Sequence, residues 1–117
     1  MNTTPLESQV QEMVVQYLSI LESQGKVLWF TGSGNGQYQK SIRTKMKMKR
    51  EGIRAGMPDI FIAYPDRLVF IELKREKGWV ASDDQKHAIE QINKACGHAY
   101  IAKWFAEAKK IIDDNIS

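Results

Sequence analysis

Two β-rich runs, Asp59 to Tyr64 and Leu68 to Lys74, flank the segment Tyr64-Pro65-Asp66-Arg67. Pro and Asp both favour tight turns. The two runs therefore predict an antiparallel hairpin, and so short a turn leaves little freedom of register. With the turn centred between Pro65 and Asp66, Asp59 faces Glu72, Phe61 faces Phe70 and Ala63 faces Leu68. Side chains alternate between the two faces of a strand. One face is then Ile60, Ile62, Val69, Ile71 and Leu73, all apolar. The other is apolar near the turn and carries Asp59, Glu72 and Lys74 at its far end. Opposed Cβ atoms lie about 4.5–5.5 Å apart. Two carboxylates that close repel each other unless a cation lies between them, so a divalent metal beside the Lys74 ammonium is the natural filler. An edge-strand ion pair and a turn aspartate after Pro58 are the plainer alternatives.

The rest of the chain supplies the other layers. Leu6, Val10, Met13, Val14, Tyr17, Leu18 and Leu21 recur at helical spacing and predict a helix over about 5–24, with Thr4 as N-cap, Pro5 in the first turn and Gly25 ending it. Val27 to Phe30 and Ala99 to Ala102 read as short strands. Ser82 to Cys96 reads as a helix capped by Ser82, and Trp104 to about Asp114 as a last helix. The expected architecture is a single α/β domain over 1–117, a mixed central sheet flanked by helices. The chain has 117 residues, 43% hydrophobic and 26% charged, which suits one soluble core. No apolar run reaches the length of a membrane span, so no membrane association is expected. One cysteine, Cys96, excludes an internal disulfide and a Cys-based zinc site. An intracellular, cytoplasmic protein is expected.

Charge is unevenly spread. The chain carries a net +3, yet Lys40, Arg43, Lys45, Lys47, Lys49, Arg50 and Arg54 are opposed locally only by Glu51. Upstream lies Thr31-Gly32-Ser33-Gly34-Asn35-Gly36, which matches no phosphate-cradling motif. The whole stretch of about 31–56 is expected to be a basic loop that tracks a nucleic-acid backbone, against the blander alternative of a solvated charged loop.

Two further polar residues point towards the charged corner. Glu7 falls about 55° from the centre of the first helix's apolar stripe. It is either a metal ligand or the glutamate of a Thr4–Glu7 capping box. Gln85 lies in line with Ala88, Ile89 and Ile92, facing the sheet, yet Ser82-Asp83-Asp84-Gln85 is also capping-box-like. His87 and His98 are isolated. Trp29, Trp79 and Trp104 read as core or rim residues, with Trp79 nearest the charged end.

Gly56-Met57-Pro58-Asp59, then Ile71-Glu72-Leu73-Lys74, then Ser82-x-x-Gln85 resemble the PD-(D/E)XK nuclease superfamily, and more closely its stand-alone, virus-type VRR-NUC branch. The resemblance implies an αβββαβ, restriction-endonuclease-like core and Mg²⁺- or Mn²⁺-dependent phosphodiester hydrolysis. It implies metal ligation by Asp59, Glu72 and the Leu73 backbone carbonyl. Lys74, Gln85 and Glu7 match further site positions. It also implies a homodimer acting on branched DNA, Holliday-junction-like or flapped, in DNA repair. The rivals are a non-catalytic DNA-binding module of the same fold and a sequence-specific restriction-type nuclease. In all three, replacing Lys45, Lys47 and Lys49 together with alanine is expected to weaken DNA binding on any sequence and to flatten its dependence on salt. Fluorescence anisotropy across a salt series measures this, and an unchanged slope removes the segment from the interface.

Overall fold

The computed structural model describes residues 7–34, 41–95 and 97–117; of Glu7 it describes the backbone only. The elements run α1 (Glu7–Ser23), β1 (Trp29–Gly32), α2 (Ile42–Arg50), β2 (Ile60–Ala63), β3 (Leu68–Lys74), α3 (Asp83–Ala95), β4 (Ala99–Lys103) and α4 (Trp104–Asp114). The four strands are ordered β1-β2-β3-β4. β2 pairs antiparallel with both β1 and β3, whereas β4 runs parallel to β3. The hairpin register is the expected one, with Phe61 opposite Phe70 and Ala63 opposite Leu68. The Tyr64 N–H donates to the Arg67 carbonyl at 2.8 Å and closes the turn.

The apolar face of the hairpin forms the core. Ile60, Ile62, Val69, Ile71 and Leu73 are all buried against Val10, Val14, Leu18 and Leu21 of α1 and Ala108 and Ile112 of α4. Two polar ties hold the α4 layer, one part-buried and one within the core. Tyr17 packs edge-on against Phe105 and donates its hydroxyl proton to Asp113, and Tyr64 donates to the Ile112 carbonyl at 2.9 Å. No helix among the described residues is long and apolar enough to cross a membrane.

Two expectations are corrected. The strand expected at Val27 to Phe30 begins two residues later, at Trp29. The cause is the end of α1. Gly25 takes a φ of 75°, the Lys26 N–H still bonds the Leu21 carbonyl, and Val27 is spent as a core residue before the ladder opens at Leu28 N–H to Ala63. The basic stretch expected to be a loop over about 31–56 contains α2. Lys, Arg and Met are good helix formers. The Ser41 hydroxyl caps the helix by accepting from Thr44 N–H at 3.2 Å, and Lys47, Lys49 and Arg50 in the last turn suit the helix dipole. No apolar stripe announced the helix because Met48 is its one buried residue. Thr4, Pro5, Lys40 and Cys96 lie outside the described residues.

The polar face of the hairpin is approached by α3. Asn93 fixes the far end of that helix by pairing with both the N–H and the carbonyl of Ala99, at 2.8 and 3.0 Å. At its near end, Gly56 has a φ of 84°, and a Cβ there would collide with the Asp84 carbonyl and the Gln85 amide. The loop before β2 thus lies backbone-to-backbone on the first turn of α3. Gly56→Ala combines a positive φ with that collision, so it should destabilise the fold by about 1 kcal/mol or more. Urea denaturation measures this; an unchanged midpoint means that the loop and α3 are not packed this way.

Candidate active site

Glu72 and Lys74 project from β3 on the face opposite the apolar core, and both are almost wholly buried, at 2% and 4% exposure. Burying ions is costly unless each finds partners. Here the Lys74 ammonium lies 3.3 Å from Glu72 Oε2 and donates to Gln85 Oε1 at 2.9 Å. Gln85 Nε2 donates to the same Glu72 Oε2 at 2.7 Å. The three side chains close a triangle.

Gln85 both reaches the charged corner and caps its own helix. Its Oε1 also accepts from Ser82 N–H at 2.9 Å, while its own N–H donates to the Ser82 hydroxyl at 3.1 Å. That reciprocal pair is a capping box at the start of α3. Its acceptor oxygen faces two donors and its amide nitrogen faces a carboxylate, so the whole network fixes one orientation of the amide.

Asp59 sits just before β2, where the register places it opposite Glu72. Its carbonyl accepts from Ser33 N–H at 2.9 Å, holding it to the chain beyond β1. Its carboxylate does not simply stand on the face shared by Glu72 and Lys74. Oδ2 accepts from the Leu73 N–H at 2.8 Å, at the strand edge. In a strand a residue's N–H and carbonyl leave by the same edge, so the Leu73 carbonyl is directed to the side on which Asp59 lies.

The two acids act on each other. Burial first and the Asp59 charge second push the Glu72 carboxyl up to about 8, with Lys74 opposing both. Glu72 Oε1 is buried without a hydrogen-bond partner. An orphaned carboxylate oxygen facing a second carboxylate needs either a proton or a cation. The donor set is hard oxygen: two carboxylates and a backbone carbonyl. It suits Mg²⁺ or Mn²⁺, which retain several waters and need few protein ligands. Among the described residues no three His, Cys, Asp or Glu side chains converge on a metal-sized position. Glu7, the expected further ligand, has its side chain outside the described residues. One turn after it on α1, Gln11 places its Nε2 3.0 Å from where a Gly32 Cβ would stand, beside the Asp59 carbonyl. Sequence reasoning passed over Gln11, because nothing local distinguishes it from a solvated helix residue.

The cations expected to meet DNA stand apart from this triangle. Arg43, Lys45, Lys47, Lys49 and Arg50 are exposed on α2 and Arg54 follows it; among the described residues none forms an ion pair. Lys40 lies outside the described residues. Lys49 and Arg54 line a groove of about 840 Å³ whose floor includes Ile53, Met57, Ala88 and Ile92. None of Asp59, Glu72, Lys74 and Gln85 lines the groove, although its lining residues Asp84 and Met57 stand one residue before Gln85 and two before Asp59. His87 is exposed on the same groove. Trp104 packs against the core and Trp29 is 58% exposed.

No family model and no curated protein matches the sequence. The fold does have solved counterparts. A structure described as a VRR_NUC domain protein superposes with a TM-score of 0.68 at 22% identity, over 97% of this chain and 89% of that one. The chain therefore has the fold of a VRR-NUC domain, the restriction-endonuclease-like arrangement of a mixed four-stranded sheet between helices.

The raised pKa of Glu72 has a measurable consequence. Its carboxyl keeps its proton to about 8 in the folded protein, against the ordinary 4.5. Between those values the folded state binds more protons than the unfolded chain, so stability falls as pH rises. In EDTA the urea midpoint should drop from pH 5 to pH 8, and Glu72→Gln should remove most of that slope. Parallel pH profiles for the two proteins count against the burial described.

Proposed function

We propose that the protein is a metal-dependent DNA endonuclease acting on branched DNA. The observation that carries the proposal is the buried, unpartnered Glu72 Oε1 beside Asp59, with the Lys74 ammonium held next to it. A purely structural ion pair would satisfy both carboxylate oxygens. A carboxylate left half-satisfied between a second acid and a fixed ammonium is suited to taking up a divalent cation. The resemblance of fold to a VRR_NUC domain protein supports the same class of chemistry.

Asp59, Glu72 and the Leu73 carbonyl would hold Mg²⁺ or Mn²⁺, with Glu7 as a further ligand. Bound there, the cation would supply charge neutralisation at the phosphodiester and a lowered pKa for water. The chain's own groups do the rest. Lys74 presents a positive charge where the pentavalent phosphorane builds up negative charge, and it orients the attacking water. Its role is electrostatic, set by its fixed place between Glu72 and Gln85. Gln85 keeps Lys74 from swinging away, because one amide oxygen accepts from both the ammonium and the α3 backbone. The cations of α2 and Arg54, unpaired among the described residues, bind phosphates without reading bases. A chain of this size presents one such corner, so cutting both strands of a junction calls for two copies, and we propose a homodimer.

Glu72→Ala and Lys74→Ala should each lower cleavage of flapped or four-way DNA by at least about a hundredfold. Binding by gel shift should change less than about threefold, because the phosphate contacts lie on α2. EDTA should abolish cleavage and added Mg²⁺ or Mn²⁺ restore it. A variant that cuts at the wild-type rate removes the assignment, and binding without cleavage under any divalent metal leaves the non-catalytic DNA-binding reading.

A further inference from the structure

α2 carries more than charge. Only Met48 of its nine residues is buried, whereas Ile42 is 75% and Met46 55% exposed. At about 100° per residue, Ile42 and Met46 lie about 40° apart on one ridge, nearly opposite Met48. On the same wheel Lys45 and Lys49 run along one flank of that ridge, and Arg43 and Arg50 along the other. A single exposed apolar side chain on a protein surface needs no explanation. Two on consecutive turns, at the crest of a helix whose other exposed residues are all cations, are not what solubility favours.

We propose that this ridge is a DNA wedge: Ile42 and Met46 press against base steps where strands part, while the flanking cations hold the two backbones. The inference takes from the preceding subsection only that DNA is the substrate. It makes the preferred substrate a duplex with a weakly stacked step, as at a flap or a junction.

Three observations select DNA as the occupant. The ridge is framed by four cations, α2 contains no acid, and none of its cations forms an ion pair among the described residues, so the complementary surface is polyanionic. The apolar crest is only two side chains wide, too small to anchor a helix at a membrane surface, where a broad apolar face is required. It is the right size to enter between base pairs, the manner in which minor-groove proteins use Ile and Met. Lys49, in the last turn of α2, lines the same groove as Asp84, the residue before Gln85. A strand parted at α2 would therefore cross that groove towards the Glu72 corner.

The test uses the full chain and its Ile42→Ala/Met46→Ala variant, since alanine keeps helix propensity. Flapped and uninterrupted duplexes carry 2-aminopurine at the branch or at the matching step, in EDTA. The wild type should raise 2-aminopurine fluorescence at the branch only. The alanine pair should lose at least half of that rise and bind the flap about tenfold more weakly. Its salt dependence should match the wild type, because every cation remains. Ile42→Leu/Met46→Leu should restore both signals. The wedge is overturned by an undiminished fluorescence rise in the alanine pair, or by a salt slope that falls along with affinity. It is equally overturned by a changed sedimentation coefficient in the alanine pair, which would make the ridge a subunit contact, or by tighter wild-type binding to anionic phospholipid vesicles than to DNA. Cleavage in Mg²⁺ without unstacking removes the wedge alone; unstacking without cleavage removes the nuclease assignment alone.

Discussion

A carboxylate has been placed where water does not reach, and the site is organised around keeping it tolerable. Glu72 lies on β3, one of the two inner strands, which pair on both edges and so have little freedom to move. With no solvent to absorb its charge, Lys74 and Gln85 are drawn onto one of its oxygens and the other is left without a partner. Such an arrangement is unstable by itself in the direction of taking up a proton or a metal. Rigid support is what prevents the alternative, a rotation of the side chain out to water. The core behind β3, with Val69, Ile71 and Leu73 wedged against α1 and α4, provides that support.

The legible parts of the sequence were those governed by short-range geometry. A tight turn fixed the hairpin register, and the register alone set Asp59 opposite Glu72. β3 and α4 occupy the residues expected of them, because alternation and helical periodicity are strong in both. The helix α2 was hidden because hydrophobic periodicity is the usual signal and this helix buries one residue. The Asp59 carboxylate could be assigned to a face but not to its bond with the Leu73 amide, which depends on where β2 stops pairing. Gly56 stood in a recognisable motif, yet its reason is a contact with residues 28 and 29 positions further on, and no local pattern encodes that.

Two kinds of positive charge are separated in space and in job. Lys74 is buried, held by two partners, and close to the acids. The α2 cations are exposed and unpaired among the described residues. A fixed charge stabilises one charge distribution at one point; mobile ones accommodate phosphates whose spacing varies with the bend and branching of the strand. The division suits the proposed reading, in which irregular DNA is held loosely and a single bond within it is cut.

The Gln85 oxygen that caps α3 is the same atom that restrains Lys74. Helix initiation and the arming of the ammonium therefore occur as one event rather than in sequence. On the proposed reading this residue serves the scaffold and the chemistry at once. A homologue without activity would still need it to start the helix, so glutamine at this place is, taken alone, no testimony to cleavage.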